Sequence, residues 1–138
     1  MKNSGKLCVL AGVVAMGGGA VAAFPAVAQS ASSLAVLDRL TTGQWEVRER
    51  GSGTKRQICV RSGYELIQLR HRGAQCSRHV VENGTNEVTI QYTCRGNGYG
   101  RTHVRRETGE LVQIESQGIA DGQPFEFSAE ARRTGSCR

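Results

Sequence analysis

The chain has 138 residues, with 18 lysines and arginines against 12 acidic residues and a formal charge of +6. Past its first residues no apolar run approaches the ~18 residues of a membrane span, and only 5% of the chain is aromatic. Those values exclude a multidomain protein and a helical membrane protein, and they leave room for one modest core.

Residues 1–28 read as a cleaved export signal. Lys2 and Lys6 form its charged start, Leu7 to Val21 an apolar and small-residue stretch, and Ala26-Val27-Ala28 an A-x-A cleavage site ahead of Gln29. Cleavage after Ala28 leaves 138 − 28 = 110 residues and delivers them to the periplasm, where thiols are oxidised to disulfides. Cys8 leaves with the signal, being too near the start to act as a lipoprotein acceptor. Without Lys2 and Lys6 the balance is 16 basic to 12 acidic residues, about +4, and Lys55 is the one basic residue that is not arginine. Nucleic acid is not an expected partner in that compartment. Anionic lipid head groups or acidic glycans suit it better, and cross-strand ion pairs are the plainer use of the arginines.

Residues 29–42 form a polar leader with one short helix, in which Leu34, Leu37 and Leu40 share a face and Ser33 caps the start. Residues 43–138 are expected to be a disulfide-braced β domain. A second short helix is predicted from Gly63 to about Arg72, because Ser62 and Glu65 make an S-x-x-E capping box and Gly73 supplies a stop.

The remaining chain reads as strands and turns whose registers can be tested against the apolar pattern. Gly51-Ser52-Gly53-Thr54 sets Trp45 against Val60 and Val47 against Ile58; a loop around Gly84-Thr85-Asn86 sets Val80 against Ile90. Gly96-Asn97-Gly98 sets Ile90 against Val104 and Tyr92 against Thr102. Glu107-Thr108-Gly109, with Gly109 left-handed, sets Val104 against Val112 and Thr102 against Ile114. Asp121-Gly122 sets Ile114 against Ala129 and Val112 against Ala131. On the outward face Arg101 then meets Glu115, Arg106 meets Glu110, and Glu49 meets Arg56. The fold class is mainly β: a single curved antiparallel meander of about seven strands, open or curled into a partial barrel, with one or two short helices.

Four cysteines allow three pairings. The Val80–Ile90 register puts Cys76 opposite Cys94 on one face of a hairpin. Cys137 falls at the far end of the sheet from Cys94, roughly 30 Å away at 3.3 Å per residue, too far for a bridge. That leaves Cys59 with Cys137, although alternation puts Cys59 on the face opposite Ile58 and Val60. With no C-x-x-C, the four cysteines read as structural, and neither metal nor cofactor is expected.

Little in the chain looks catalytic. His71, His79 and His103 are scattered and read as surface residues, without a serine or cysteine nucleophile at a telling spacing. Gly96-Asn97-Gly98-Tyr99-Gly100 lacks the following helix that a phosphate loop needs, so it reads as a hairpin. Glu46 with Glu49, or Glu107 with Glu110, could be offered as a glycosidase pair, but three of these four already read as outward or turn residues, with no cleft implied. The feature that resists a purely structural account is the inward face of the last two strands. Ser116, Gly118, Ala129 and Ala131 are small there, beside Phe125 and Phe127. Either a helix packs onto them through Leu66 and Leu69 or the Leu34 face, or a shallow apolar groove is left. Such a groove would suit an acyl chain or short apolar peptide, with Phe125, Phe127, Tyr92 and Trp45 as its ligand-binding residues.

Gly43-Gln44-Trp45-Glu46-Val47 after a short leader, Ile58-Cys59-Val60 before a capped helix, a cysteine-bounded hairpin, and Ala131-Arg132-Arg133-Thr134-Gly135-Ser136-Cys137 at the end form an ordered set of motifs. The set resembles a family of small exported bacterial proteins with a G-x-W-E start and an A-R-R-x-G-x-C finish, a domain of unknown function, in a form similar to sphingomonad-type members. The resemblance implies an envelope location, an antiparallel β fold and four paired cysteines, and it carries no activity or catalytic residue. Thr42 stands where the commoner form of the motif has proline. The function expected is therefore non-enzymatic: a periplasmic domain that binds a small apolar ligand or an envelope partner. The alternatives are an accessory protein without a pocket and, third, a hydrolase.

Overall fold

A computed structural model describes residues 34–138. The expected export signal and cleavage site, Cys8 and the expected Ser33 cap lie outside the described residues. Within them a single helical turn, α1 (Ala35–Asp38), precedes seven strands. These are β1 (Gly43–Glu49), β2 (Lys55–Val60), β3 (Cys76–Asn83), β4 (Glu87–Cys94), β5 (Gly98–Thr108), β6 (Leu111–Ala120) and β7 (Gln123–Gly135). All pairings are antiparallel, in one sheet of order β2-β1-β7-β6-β5-β4-β3 that does not close.

That order explains the rest of the architecture. Because β2 and β3 are the two edges, the chain between them, residues 61–75, has to cross the covered face of the sheet. It carries a 3-10 turn, Tyr64–Leu66, rather than the longer helix expected. Glu65 does reach back, accepting from the Arg61 and Ser62 amides at 3.2 Å, but the Ser62 hydroxyl donates to that same carboxylate at 3.3 Å and caps no amide, so only half of the capping box forms. Gly63 and Gly73 both take left-handed φ and turn the chain out of any longer helix.

The crossing segment delivers Leu66, Ile67 and Leu69 into a core with Trp45, Val47, Ile58, Val60, Ile90, Val104, Ile114 and Ala131. Leu34, Leu37 and Leu40 of the leader are buried there too. Alternation placed these residues on the correct face. Three registers differ from expectation, each by two residues: Trp45 opposes Ile58, Ile90 opposes Thr102, and Val104 opposes Ile114. A slip of two returns every side chain to its own face, so the apolar pattern does not penalise it.

Turn geometry decides instead. Glu49 and Thr54 close a four-residue loop through Glu49 N–H to Thr54 O, and Asn97 N–H to Cys94 O closes the next hairpin one residue earlier than expected. A bulge between Arg106 and Thr108 shifts the third. Gly109 is not left-handed; its carbonyl accepts the Thr41 amide, tying down the leader. The β3–β4 register (Val80 with Ile90) and the β6–β7 register (Ile114 with Ala129) are as expected, the latter turning on Asp121 and Gly122, both at positive φ.

The outward pairs change with the registers. Arg101 opposes Gln117, His103 opposes Glu115, and Arg106 donates to Asn86 while Glu110 turns to Arg133. Glu49 meets Arg56 as an ion pair, but from the buried side, in phase with Trp45 and Val47.

Both cysteine pairs are disulfides, Cys76–Cys94 and Cys59–Cys137. The facing objection to the second resolves simply. Cys59 opposes Gln44 on β1, Gln44 opposes Gly135 on β7, and the chain beyond Gly135 folds back over the outside of β1 to reach Cys59. The bridge joins two strands that are not neighbours. Two disulfides fit an exported protein, and among the described residues no helix is long and apolar enough to cross a membrane.

Candidate functional site

Tyr92, Gly100, Gly118 and Phe125 form one row across β4, β5, β6 and β7, each opposite the next. Two glycines between two aromatics would leave a trough. Tyr92 lies down in it, so close over Gly100 that a Cβ there would overlap the phenol oxygen.

His71 fills the remainder. Its ring stands edge-on to Tyr92 at 5.4 Å and 6.1 Å from Phe125, which in turn stacks on Phe127 at 6.1 Å. Of the four predicted ligand-binding residues, Phe125, Phe127 and Tyr92 are thus gathered around His71. Trp45 makes no ring contact with them; it is fully buried on β1 and donates to Thr41 O at 3.0 Å. The small-residue face is covered by the crossing segment.

His71 is therefore no surface histidine but 2% exposed, a correction to the sequence reading. The Asn97 carbonyl accepts from Nε2–H at 2.7 Å, so in neutral His71 Nδ1 accepts a hydrogen bond from the Tyr92 hydroxyl at 3.1 Å. Burial pushes the Tyr92 phenol up to about 12, against the lowering pull of the Ser116 hydroxyl and the Arg70 charge. Beside it Thr102 donates to Ile67 O at 2.6 Å and accepts from Ser116 at 2.8 Å, sewing the crossing segment to β5 and β6. The expected register set Tyr92 against Thr102; only the observed one, two residues away, brings it onto two glycines and exposes a space that something had to fill.

The other histidine and carboxylate candidates, His79 apart, have partners. His103 Nδ1 lies 2.9 Å from the Thr89 hydroxyl, and Glu87 lies 3.9 Å from its Nε2. Thr89 donates to the Glu82 carboxylate at 3.2 Å, which leaves Nδ1–H as the donor to Thr89. A ring nitrogen carrying its proton toward the hydroxyl is not placed to deprotonate it. His79 is exposed on β3. Glu46 pairs with Lys55, Glu107 with Arg105 and Glu110 with Arg133. Buried Glu49 bridges Arg56 at 2.5 Å and Arg70 at 3.2 Å, and Arg70 also covers the Phe127 ring at 4.7 Å. Desolvation lowers the Arg56 pKa, and Arg70 and Arg72 add to that, outweighed only in part by Glu49. Among the described residues no three His, Cys, Asp or Glu side chains are grouped to hold a metal.

One opening lies at the seam of the curled sheet, where a cleft of about 540 Å³ is bounded by Ile58 and Cys59 of β2, Arg78 of β3, and the crossing segment. Its floor is built. Gln68, 8% exposed, spends its amide on the His71 and Ala74 carbonyls at 3.2 and 3.0 Å and accepts from Arg78 Nη2 at 2.8 Å. Arg78 is further held flat over the Tyr64 ring at 4.9 Å. Arg72 faces the same cleft, exposed. A second, shallower groove of about 560 Å³ runs past Tyr99, Arg101, Gln117 and Phe125.

Comparison with protein-family models, with curated proteins and with solved structures finds no match.

Proposed function

We propose that this chain is an exported, periplasmic binding domain that works without chemistry of its own and holds an envelope partner at the seam between β2 and β3. The single observation that carries this reading is the cleft itself. It is the place where the sheet stops short of closure and presents an oriented arginine over a tyrosine. The resemblance to small exported bacterial proteins supports the compartment, as do the two disulfides. Of the two expected classes of ligand, a partner suits this geometry better than an acyl chain, because the face meant for an apolar guest is occupied by His71 and Tyr92.

A photo-crosslinking residue at position 64, compared with one at exposed Arg95, tests the reading in intact cells. A discrete adduct from position 64 and none from position 95 is the expected result. Equal labelling from both positions, or none from position 64, overturns it.

A further inference from the structure

Edge strands β2 and β3 each pair on one side only, β2 with β1 and β3 with β4. Among the described residues, residues 55–60 and 76–82 make no backbone hydrogen bond outside those ladders. Two strand edges therefore bound the seam with free amides and carbonyls, the arrangement by which an extended chain adds itself to a sheet. β3 is exposed along nearly its whole length, with Val80 and Val81 at 37% and 43%.

The charge facing the cleft is net positive, two arginines against one carboxylate. Arg72 and Arg78 both face it, and among the described residues Arg72 takes part in no ion pair. The carboxylate in the cleft wall, Glu65, is already spent on the Arg61 and Ser62 amides. Glu49 is occupied by Arg56 and Arg70. Arg78 is the more telling of the two. Nη2 donates to Gln68 and the guanidinium lies over Tyr64, while its Nε and Nη1 protons have no hydrogen-bond partner among the described residues. A fork held in place by a buried amide and a ring has lost most of its rotamer freedom before any ligand arrives, which lowers the entropic cost of binding a carboxylate.

Taking the seam as the binding face, as above, we propose that its occupant is an acidic peptide segment. The segment lies extended between β2 and β3, pairs with a free strand edge, and sets its carboxylates on Arg72 and Arg78. Ile58 and the Tyr64 ring supply the apolar wall for alternate side chains.

The test uses the oxidised mature protein and a fluorescein-labelled peptide of alternating glutamate and valine, followed by anisotropy and by amide shifts in NMR. Saturable binding is expected, with shifts concentrated in residues 56–60 and 76–80. Arg72→Gln should weaken binding about fivefold, Arg78→Lys about tenfold, and the glutamine–valine peptide should bind at least tenfold more weakly. Arg72 touches nothing whose loss would unfold the protein, so it remains informative if Arg78 variants loosen the crossing segment.

Three results overturn the proposal: no binding of the acidic peptide, shifts that map to Tyr99 and Arg101 instead, or binding to phosphatidylglycerol vesicles but not to peptide. Crosslinking from position 64 without peptide binding removes the acidic class and leaves the seam as the binding face. Absence of both removes the seam.

Discussion

Gly43 stands against Gly135: a Cβ on Gly43 would overlap the Gly135 carbonyl oxygen, and Gly43 holds φ +143° at the point where the β1–β7 register shifts. The opening and closing motifs of the chain are thus one structural unit. Arg133 donates to Thr42 O at 2.9 Å and Thr134 to Gln44 O at 3.2 Å across the same junction. Gly43→Ala should cost about 3 kcal/mol in urea unfolding, from backbone strain and overlap together. Gly51→Ala, at φ +85° with open space around it, should cost roughly 1 kcal/mol. Equal costs would show that only the dihedral matters.

The two bridges should differ in worth. Cys59–Cys137 spans 78 residues and Cys76–Cys94 spans 18. Loop-closure entropy gives about 4.5 and about 3 kcal/mol respectively. The paired serine variants, unfolded in urea, should rank in that order. Peptide mapping of unreduced protein should link Cys76 only to Cys94.

Stability should fall at high pH through Tyr92. Its proton is held more tightly in the folded state, at about 12, than in the unfolded chain, where a phenol titrates near 10. The stabilisation this represents is fully present below pH ~10 and is lost as pH rises toward 12. Tyr92→Phe should flatten the slope of melting temperature against pH in that window, at a cost of about 1 kcal/mol at neutral pH. An unchanged slope would place the alkaline transition elsewhere.

His71→Leu should destabilise by about 1–3 kcal/mol, because it leaves the half-buried Asn97 carbonyl without its donor and the buried Tyr92 hydroxyl without its acceptor. The double variant with Tyr92→Phe should cost less than the sum of the two singles, since each already breaks the shared bond. Strict additivity in thermal unfolding would contradict the pairing.

Glu49→Gln removes the one carboxylate between Arg56 and Arg70, and a loss of about 1–3 kcal/mol is expected. Arg70→Gln should cost less than Arg56→Gln, because Arg70 is the more exposed of the two. The ranking can be read from urea midpoints.

The faces of the strands were legible from alternation, and Trp45, Ile90, Val104 and Ile114 all point as their phase requires. Register was legible only where a turn had a single solution, as at Asp121-Gly122, since alternation repeats every two residues. The β1–β7 contact has no turn to announce it; it follows from how far the sheet curls. For the candidate site the sequence identified the small-residue face and three of its aromatics, but not its filler. His71 lies in a segment with no periodicity, and its burial depends on β2 and β3 being opposite edges. The seam cleft was illegible for the same reason. Arg78 and Tyr64 are 14 residues apart in the chain, on elements that meet only after the sheet has curled.

The place of β1 between β2 and β7 also constrains when the domain can exist. The first strand made needs the last one beside it, and until β7 arrives the β1–β2 hairpin stands alone, a unit too small to hold itself together. Contacts of such long sequence separation form late and slowly. A chain that stops before Ala131 leaves Val47 without its neighbour, and one that stops before Cys137 lacks the bridge that fastens the end. Only a chain that reaches Cys137 can lock β1 and β2 in place.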